Sequence, residues 1–205
     1  MALLLLLPGM LLASLWPARA QASVSPVPGA VRRELNRAEA LLRREVSRLM
    51  PGSGVQILRQ ADRVILRVPA RLLFSPDSEV LREVPQTDRM LALPVQLLHK
   101  RRRLTAIIAV YTDNIGGTSF NQALSTQRAQ AVVAALQARG IPAARLQPDG
   151  AGLASALASN DTPEGRIENR RVEFVFERPE RVPRARRTGT GAGPRSALAS
   201  GRSGQ

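Results

Sequence analysis

The chain has 205 residues, room for one domain of about 120 residues with flanking segments. Thirty Lys and Arg against 16 Asp and Glu give a formal net charge of +14, nearly all from arginine because Lys100 is the only lysine, so the implied partners are acidic surfaces. With no cysteine and one histidine, disulfides, thiolate or histidine-clustered metal sites and a lipid-bearing cysteine are excluded. An aromatic content of 3% argues against a base-stacking platform, and so against nucleic acid as partner.

Residues 1–20 read as a secretory signal. Apolar runs from Leu3 to Leu7 and from Met10 to Leu15 lead to a cleavage pattern at Ala18-Arg19-Ala20. No Lys or Arg precedes the apolar run, and an uncleaved anchor is the alternative, although the segment is short for a span. Cleavage leaves no transmembrane span and implies a periplasmic protein. Residues 21–50 comprise a Pro-containing linker and an amphipathic helix from Ala30 to Met50. Val31, Leu35, Ala38, Leu42, Val46 and Leu49 fall on one face of that helix. It can pack on the following domain, act as a solvated spacer, or dock an envelope partner. Three heptads are marginal for an independent coiled coil.

A domain over residues 51–178 follows. Val55 to Leu58 and Val64 to Val68 suggest a hairpin, and Phe74 a core anchor. Ser75-Pro76-Asp77-Ser78 reads as a turn. Glu79 to Leu98 reads as a helix that Pro85 and Pro94 should kink or split. The basic run His99 to Arg103 complements the dipole at that helix's end, on a solvated face. Leu104 to Val110 is a near-continuous apolar strand, expected to be buried on both sides. A helix from Ser119 to Ala138 follows, with Ser119 and Gln122 in capping-box spacing and Gly140 as its stop. Arg145 to Gln147 reads as a short strand, Pro148 to Gly152 as a turn, and Ala154 to Glu168 as loop or short helix. Arg171 to Glu177 alternates, with Val172, Phe174 and Phe176 on one face and Arg171 and Glu173 toward solvent. The fold class is α+β, in the order β-β-α-β-α-β-β, with helices on one face of a mixed sheet. Residues 179–205 read as a disordered basic tail.

The stretch from Val110 to Arg128 holds the candidate site. Asp113 stands at a strand's end, and Arg128 lies fifteen positions on, about two and a half turns into the next helix. Helical side chains lean toward the N-terminus, so Arg128 reaches back toward the loop Asn114 to Thr118, whose two glycines allow a tight fold. The pair can be a structural ion pair. The other reading is a clamp for a zwitterion, with Asp113 taking an ammonium and Arg128 a carboxylate.

Thr112-Asp113-Asn114, Gly116, Asn121, Leu124-Ser125, Arg128-Ala129 and Val132 together resemble the signature of OmpA-like domains, the OmpA/MotB C-terminal family. Gly140-Ile141, Gly150 with Gly152, Asn160, Gly165-Arg166 and Asn169 to Phe174 continue the resemblance downstream. Leu73-Phe74, Ser78 and Leu81 extend it upstream, over about residues 55–178 in all. The resemblance implies the OmpA-like fold and non-covalent binding of peptidoglycan, with Asp113 and Arg128 gripping the diaminopimelate of the stem peptide. It also implies that Thr112 and Asn121 line the pocket, and that Arg170 helps to hold the peptide carboxylates or Asp113 itself. Arg166 and Asn169 are expected to pack near the binding loop. Three departures bear on pocket shape: Val110-Tyr111 where the pattern reads Gly-His, Leu153 for a glutamate, and Ala156 for a proline. The reading is a binding module, not an enzyme, with no cofactor and no metal. It would anchor a periplasmic or envelope assembly to the cell wall of a Gram-negative bacterium, with a possible association with the outer membrane. The alternative is a structural component of a secretion or motility machine with a weak or vestigial pocket.

Overall fold

The computed structural model describes residues 27–179. The expected signal segment, most of the linker and all but the first residue of the expected tail lie outside the described residues. The elements run α1 (Gly29–Leu49), β1 (Gln56–Arg59), β2 (Arg63–Pro69), α2 (Pro85–Lys100), β3 (Thr105–Tyr111), α3 (Thr118–Ala138), β4 (Leu146–Gly152), α4 (Pro163–Asn169) and β5 (Arg171–Glu177). The five strands form one sheet in the order β1-β2-β5-β3-β4. All neighbours are antiparallel except β3 and β4, which are joined through α3 and run parallel. The α+β class with helices on one face of a mixed sheet is therefore what the chain adopts.

Period-2 alternation decides which face is covered. Val64, Leu66 and Val68 on β2, Ala106, Ile108 and Val110 on β3, and Val172, Phe174 and Phe176 on β5 all enter one core with the inward faces of α1, α2 and α3. The expectation that β3 is buried on both sides is corrected here. On the face without helices Ala109 is buried, but Thr105, Ile107 and Tyr111 are only half-buried. Leu35, Ala38, Leu41, Leu42 and Val46 of α1 belong to this same core. Helix α1 therefore packs on the domain, one of the arrangements expected for it, with its apolar face turned into this core.

Prolines and glycines explain the remaining differences. Pro85 occupies the first turn of α2, where its missing N–H costs nothing, so residues 79–84 stay outside the helix. Pro94 lies inside α2 without splitting it. Pro148 to Gly152 is strand, not turn, and pairs with β3 over the register Ile108↔Pro148 to Tyr111↔Gly152. An edge strand tolerates that proline. Gly150 lets α3 approach closely: a Cβ there would lie 2.6 Å from the backbone nitrogen and 2.7 Å from the Cα of Thr126. On the outer face, Arg171 and Glu173 are buried, not solvated. Glu173 accepts from Arg67 Nε and Arg171 Nε, both at 2.8 Å, and the Arg171 guanidinium lies 3.6 Å from the centroid of the Tyr111 ring. Three side chains shield one carboxylate there without a second helical layer.

Candidate functional site

The carboxyl end of β3 carries the acid. Thr112 N–H donates to Gly152 O at 2.9 Å, which ties the strand end to β4. Asp113 Oδ1 then accepts from Ile115 N–H at 3.1 Å, a local turn that fixes the carboxylate. Gly116 and Gly117 follow with φ of +91° and +80°, left-handed values that other residues rarely adopt. Asn121 holds this loop from the first turn of α3, its Nδ2 donating to Ile115 O at 2.7 Å and to Gly117 O at 2.9 Å. Helix α3 begins at Thr118 with no side-chain cap. The expected capping box is therefore absent, and Gln122 donates instead to Gly150 O at 2.5 Å.

Arg128 approaches from α3 and is 4% exposed. Its Nε donates to Ser78 O at 2.8 Å and its Nη2 to Ser75 O at 3.0 Å. The guanidinium also stands 4.9 Å from the centroid of the Phe74 ring. Arg128 thus pins the segment 75–78, and Nη1 donates to no described residue. Burial pulls its pKa below the ordinary arginine value, while Asp77 and Glu79 oppose that and Asp113 adds a lesser favourable contribution.

Asp113 and Arg128 do not pair with each other among the described residues. Both line one cleft of about 320 Å³, with Thr112, Asn121 and Arg170 on its wall. The structural ion pair weighed from sequence is thus not formed, and the acid's partner is Arg170. That arginine follows α4, and its carbonyl accepts from Ala70 N–H at 2.9 Å, which locks it beside the end of β2. Thr112 Oγ1 is buried with no hydrogen-bond partner among the described residues, so it is an unused donor and acceptor on the cleft wall.

All five predicted site residues therefore meet at one cleft, with Asn121 chiefly bracing the loop. Arg166 and Asn169 do not line it. Arg166 donates to Asn160 O, and Asn169 clamps residues 157–160 through its amide. None of the departures Val110, Tyr111, Leu153 and Ala156 lines the cleft. Sequence reasoning missed the opposite wall, formed by Arg71, Phe74, Ser75, Pro76 and Asp77. The available signal was the Ser75-Pro76-Asp77-Ser78 turn, whose carbonyls need donors; in the structure Asp77 adopts a φ of 52° there.

A one-sided α+β layer with a cleft at the end of β3 is the class of the molecule, and the comparisons give its family. Residues 73–170 match the model of the OmpA family. The chain is 36% identical over 127 residues to probable lipoprotein YiaD of Escherichia coli (strain K12), covering 62% of this chain and 57% of that protein. It is 35% identical over 130 residues to outer membrane protein A of Bordetella avium, covering 61% and 67%. It is 42% identical over 103 residues to peptidoglycan-binding protein ArfA of Mycobacterium tuberculosis (strain ATCC 25618 / H37Rv), covering 50% and 28%. Among solved structures, a putative MotB-like protein from Desulfovibrio vulgaris superimposes with a TM-score of 0.65 at 28% identity, covering 75% of this chain and 99% of that one. The cell wall anchor of the T6SS from Pseudomonas aeruginosa follows with a TM-score of 0.59 at 26% identity, covering 67% and 97%. The chain belongs to the OmpA family. It spans 57% of YiaD and 28% of ArfA.

Proposed function

We propose that this chain is a binding module that holds peptidoglycan non-covalently in the cleft at the end of β3. Diaminopimelate in the stem peptide supplies the ligand chemistry, an ammonium and a carboxylate on one residue. Asp113 takes the ammonium, Arg128 and Arg170 take carboxylates, and Thr112 Oγ1 donates or accepts a further hydrogen bond. The observation that carries this reading is that the buried acid and the buried arginine face one cleft without pairing to each other. A purely structural pair has no reason to leave that gap. The names of the relatives, a peptidoglycan-binding protein and a cell wall anchor, point the same way. The role that follows is tethering an envelope assembly to the wall on the periplasmic side, by binding alone and without catalysis. Among the described residues no helix is long and apolar enough to cross a membrane.

Sacculus co-sedimentation tests the reading. Asp113→Asn keeps an acceptor for Ile115 N–H but removes the charge, and it strands Arg170. Binding falls at least about tenfold, as when one partner of a buried charged contact is lost, while the melting temperature holds. Arg128→Ala loses binding to a similar degree, and circular dichroism separates that loss from any loosening of residues 75–78. Soluble stem peptide with diaminopimelate competes, and the same peptide with lysine competes less well. If Asp113→Asn and Arg128→Ala pellet with sacculi as the parent does, the cleft is not the site.

A further inference from the structure

A second charged feature lies at the other end of the sheet. The last turn of α2, the turn to β3, the first turns of α1 and the residue after β5 enclose a concavity of about 450 Å³. Seven Lys and Arg side chains line it, with Glu34 as the one carboxylate. Glu34 is engaged by Arg178 at 3.5 Å. Among the described residues, Arg33, Arg37, Lys100, Arg101, Arg102 and Arg103 have no carboxylate within 4.0 Å. The helix dipole does not account for them. Arg145 already serves the carbonyls at that helix end, donating to Leu98 O at 3.0 Å, Arg101 O at 2.8 Å and Leu104 O at 2.9 and 2.6 Å. The cations at 100, 102 and 103 are therefore surplus to the fold, exposed and of one sign.

We propose that this basic end docks on the anionic phospholipid headgroups of a membrane leaflet, while the cleft at the opposite end faces the wall. Four to eight clustered cations suit such a surface, and no Phe, Tyr or Trp is among the described residues that line the patch. Strand β5 joins the two sites: Arg170 precedes it at the cleft and Arg178 follows it at the basic end. Its seven residues separate the ends by roughly 20 Å. Ala30 and Arg33 in the first turns of α1 line the basic concavity. The chain therefore enters the fold at the end proposed to meet the membrane.

Vesicle flotation of the full chain tests this. The parent floats at low salt with phosphatidylcholine vesicles containing about a third phosphatidylglycerol, and loses that binding as salt rises past about 0.15 M. It does not float with phosphatidylcholine alone. Arg37→Gln, Arg102→Gln and Arg103→Gln combined lower the partition at least about tenfold, with unchanged sacculus binding and melting temperature. The corresponding triple lysine variant retains flotation, which separates charge from misfolding. Flotation of the glutamine variant at the parent's level overturns the proposal, because cations elsewhere in the chain then suffice. So does equal parental binding to neutral vesicles. Duplex DNA bound as tightly as the anionic vesicles, and lost in the same variant, overturns the membrane assignment in favour of a general polyanion surface. Loss of sacculus binding without loss of flotation makes the patch a wall contact. Asp113→Asn affects sacculi alone, so the two readings fail separately.

Discussion

The two ends of the sheet are built from the same amino acid to opposite effect. At the β3 carboxyl end, Arg128 and Arg170 stand among Asp77 and Asp113, so both signs face one cleft. At the other end Arg145 has a cation, Arg102, beside it and no carboxylate paired with it among the described residues. Burial pushes its pKa down, and Arg102 beside it pushes the same way. Both Arg128 and Arg145 serve backbone carbonyls, yet only Arg128 has carboxylates close enough to raise its pKa against burial. An end of mixed sign selects a ligand of mixed sign in a fixed orientation. An end of one sign attracts any dense anionic surface and gives way to salt. On the two proposed readings, specificity follows from how the signs are mixed, not from how much charge there is.

The largest expected effect tests whether the cleft depends on the packing beneath it. Gly150→Ala places a methyl group against the backbone of Thr126, two residues before Arg128. Helix α3 must move or the strand must bend, and overpacking of this kind costs about 1–3 kcal/mol. Thermal or urea unfolding reads the loss. Sacculus binding by the folded fraction should fall with it, because α3 carries Arg128, while flotation with anionic vesicles stays at the parent's level. If binding at both ends falls together, the two ends are not separate.

Arg145→Met comes next and probes the other end. It leaves the carbonyls of Leu98, Arg101 and Leu104 without this donor, and each carbonyl that stays unsatisfied costs about 1–3 kcal/mol. Arg145 is only half-buried, so water recovers part of that, and a net loss of about 2 kcal/mol is expected. Urea unfolding shows it, with sacculus binding intact. A neighbouring Arg102→Gln should change stability by less than about 0.5 kcal/mol. Equal losses for the two would mean that Arg102 is structural and not surplus.

How much of this was legible in the sequence depended on the range of the contact. The alternation of β5 and the helix ending before Gly140 are local patterns, and the strand Arg171–Glu177 and the helix Thr118–Ala138 formed within a residue of where they were read. Asp113 and Arg128 share a strand–loop–helix unit, so their common cleft could be anticipated from side-chain direction. The second wall could not, because Arg128 meets Ser78 and Ser75 across 50 and 53 residues of chain. Arg170 reaches Asp113 across 57, and it was anticipated only through the family resemblance. Strand β4 was hidden by Pro148, Gly150 and Gly152, residues that argue for a turn on propensity. Tertiary context overrode that propensity: the strand is at an edge, and α3 requires its small residues. Arg171 and Glu173 misled for a related reason. Alternation correctly put them on the outer face, but it says nothing about Arg67 and Tyr111 covering them from neighbouring strands.

The smallest expected effect separates the uncharged part of the cleft from the charged part. Thr112 Oγ1 is buried and unpartnered, so the free protein bears the cost of a desolvated hydroxyl. Valine has the same shape and β-branching, and Thr112→Val removes the hydroxyl without opening a cavity. Stability should therefore hold or rise slightly, by up to about 1 kcal/mol. If the ligand supplies the missing partner, binding falls by the worth of one neutral hydrogen bond, about 1 kcal/mol or a factor of about five. Opposite movement of stability and affinity in one conservative variant is hard to obtain from damage to the fold. Urea unfolding and sacculus titration on the same preparation measure both. Unchanged affinity would leave the cleft's selectivity to the charged groups alone, and would narrow the contrast between the two ends of the sheet to the presence or absence of carboxylates.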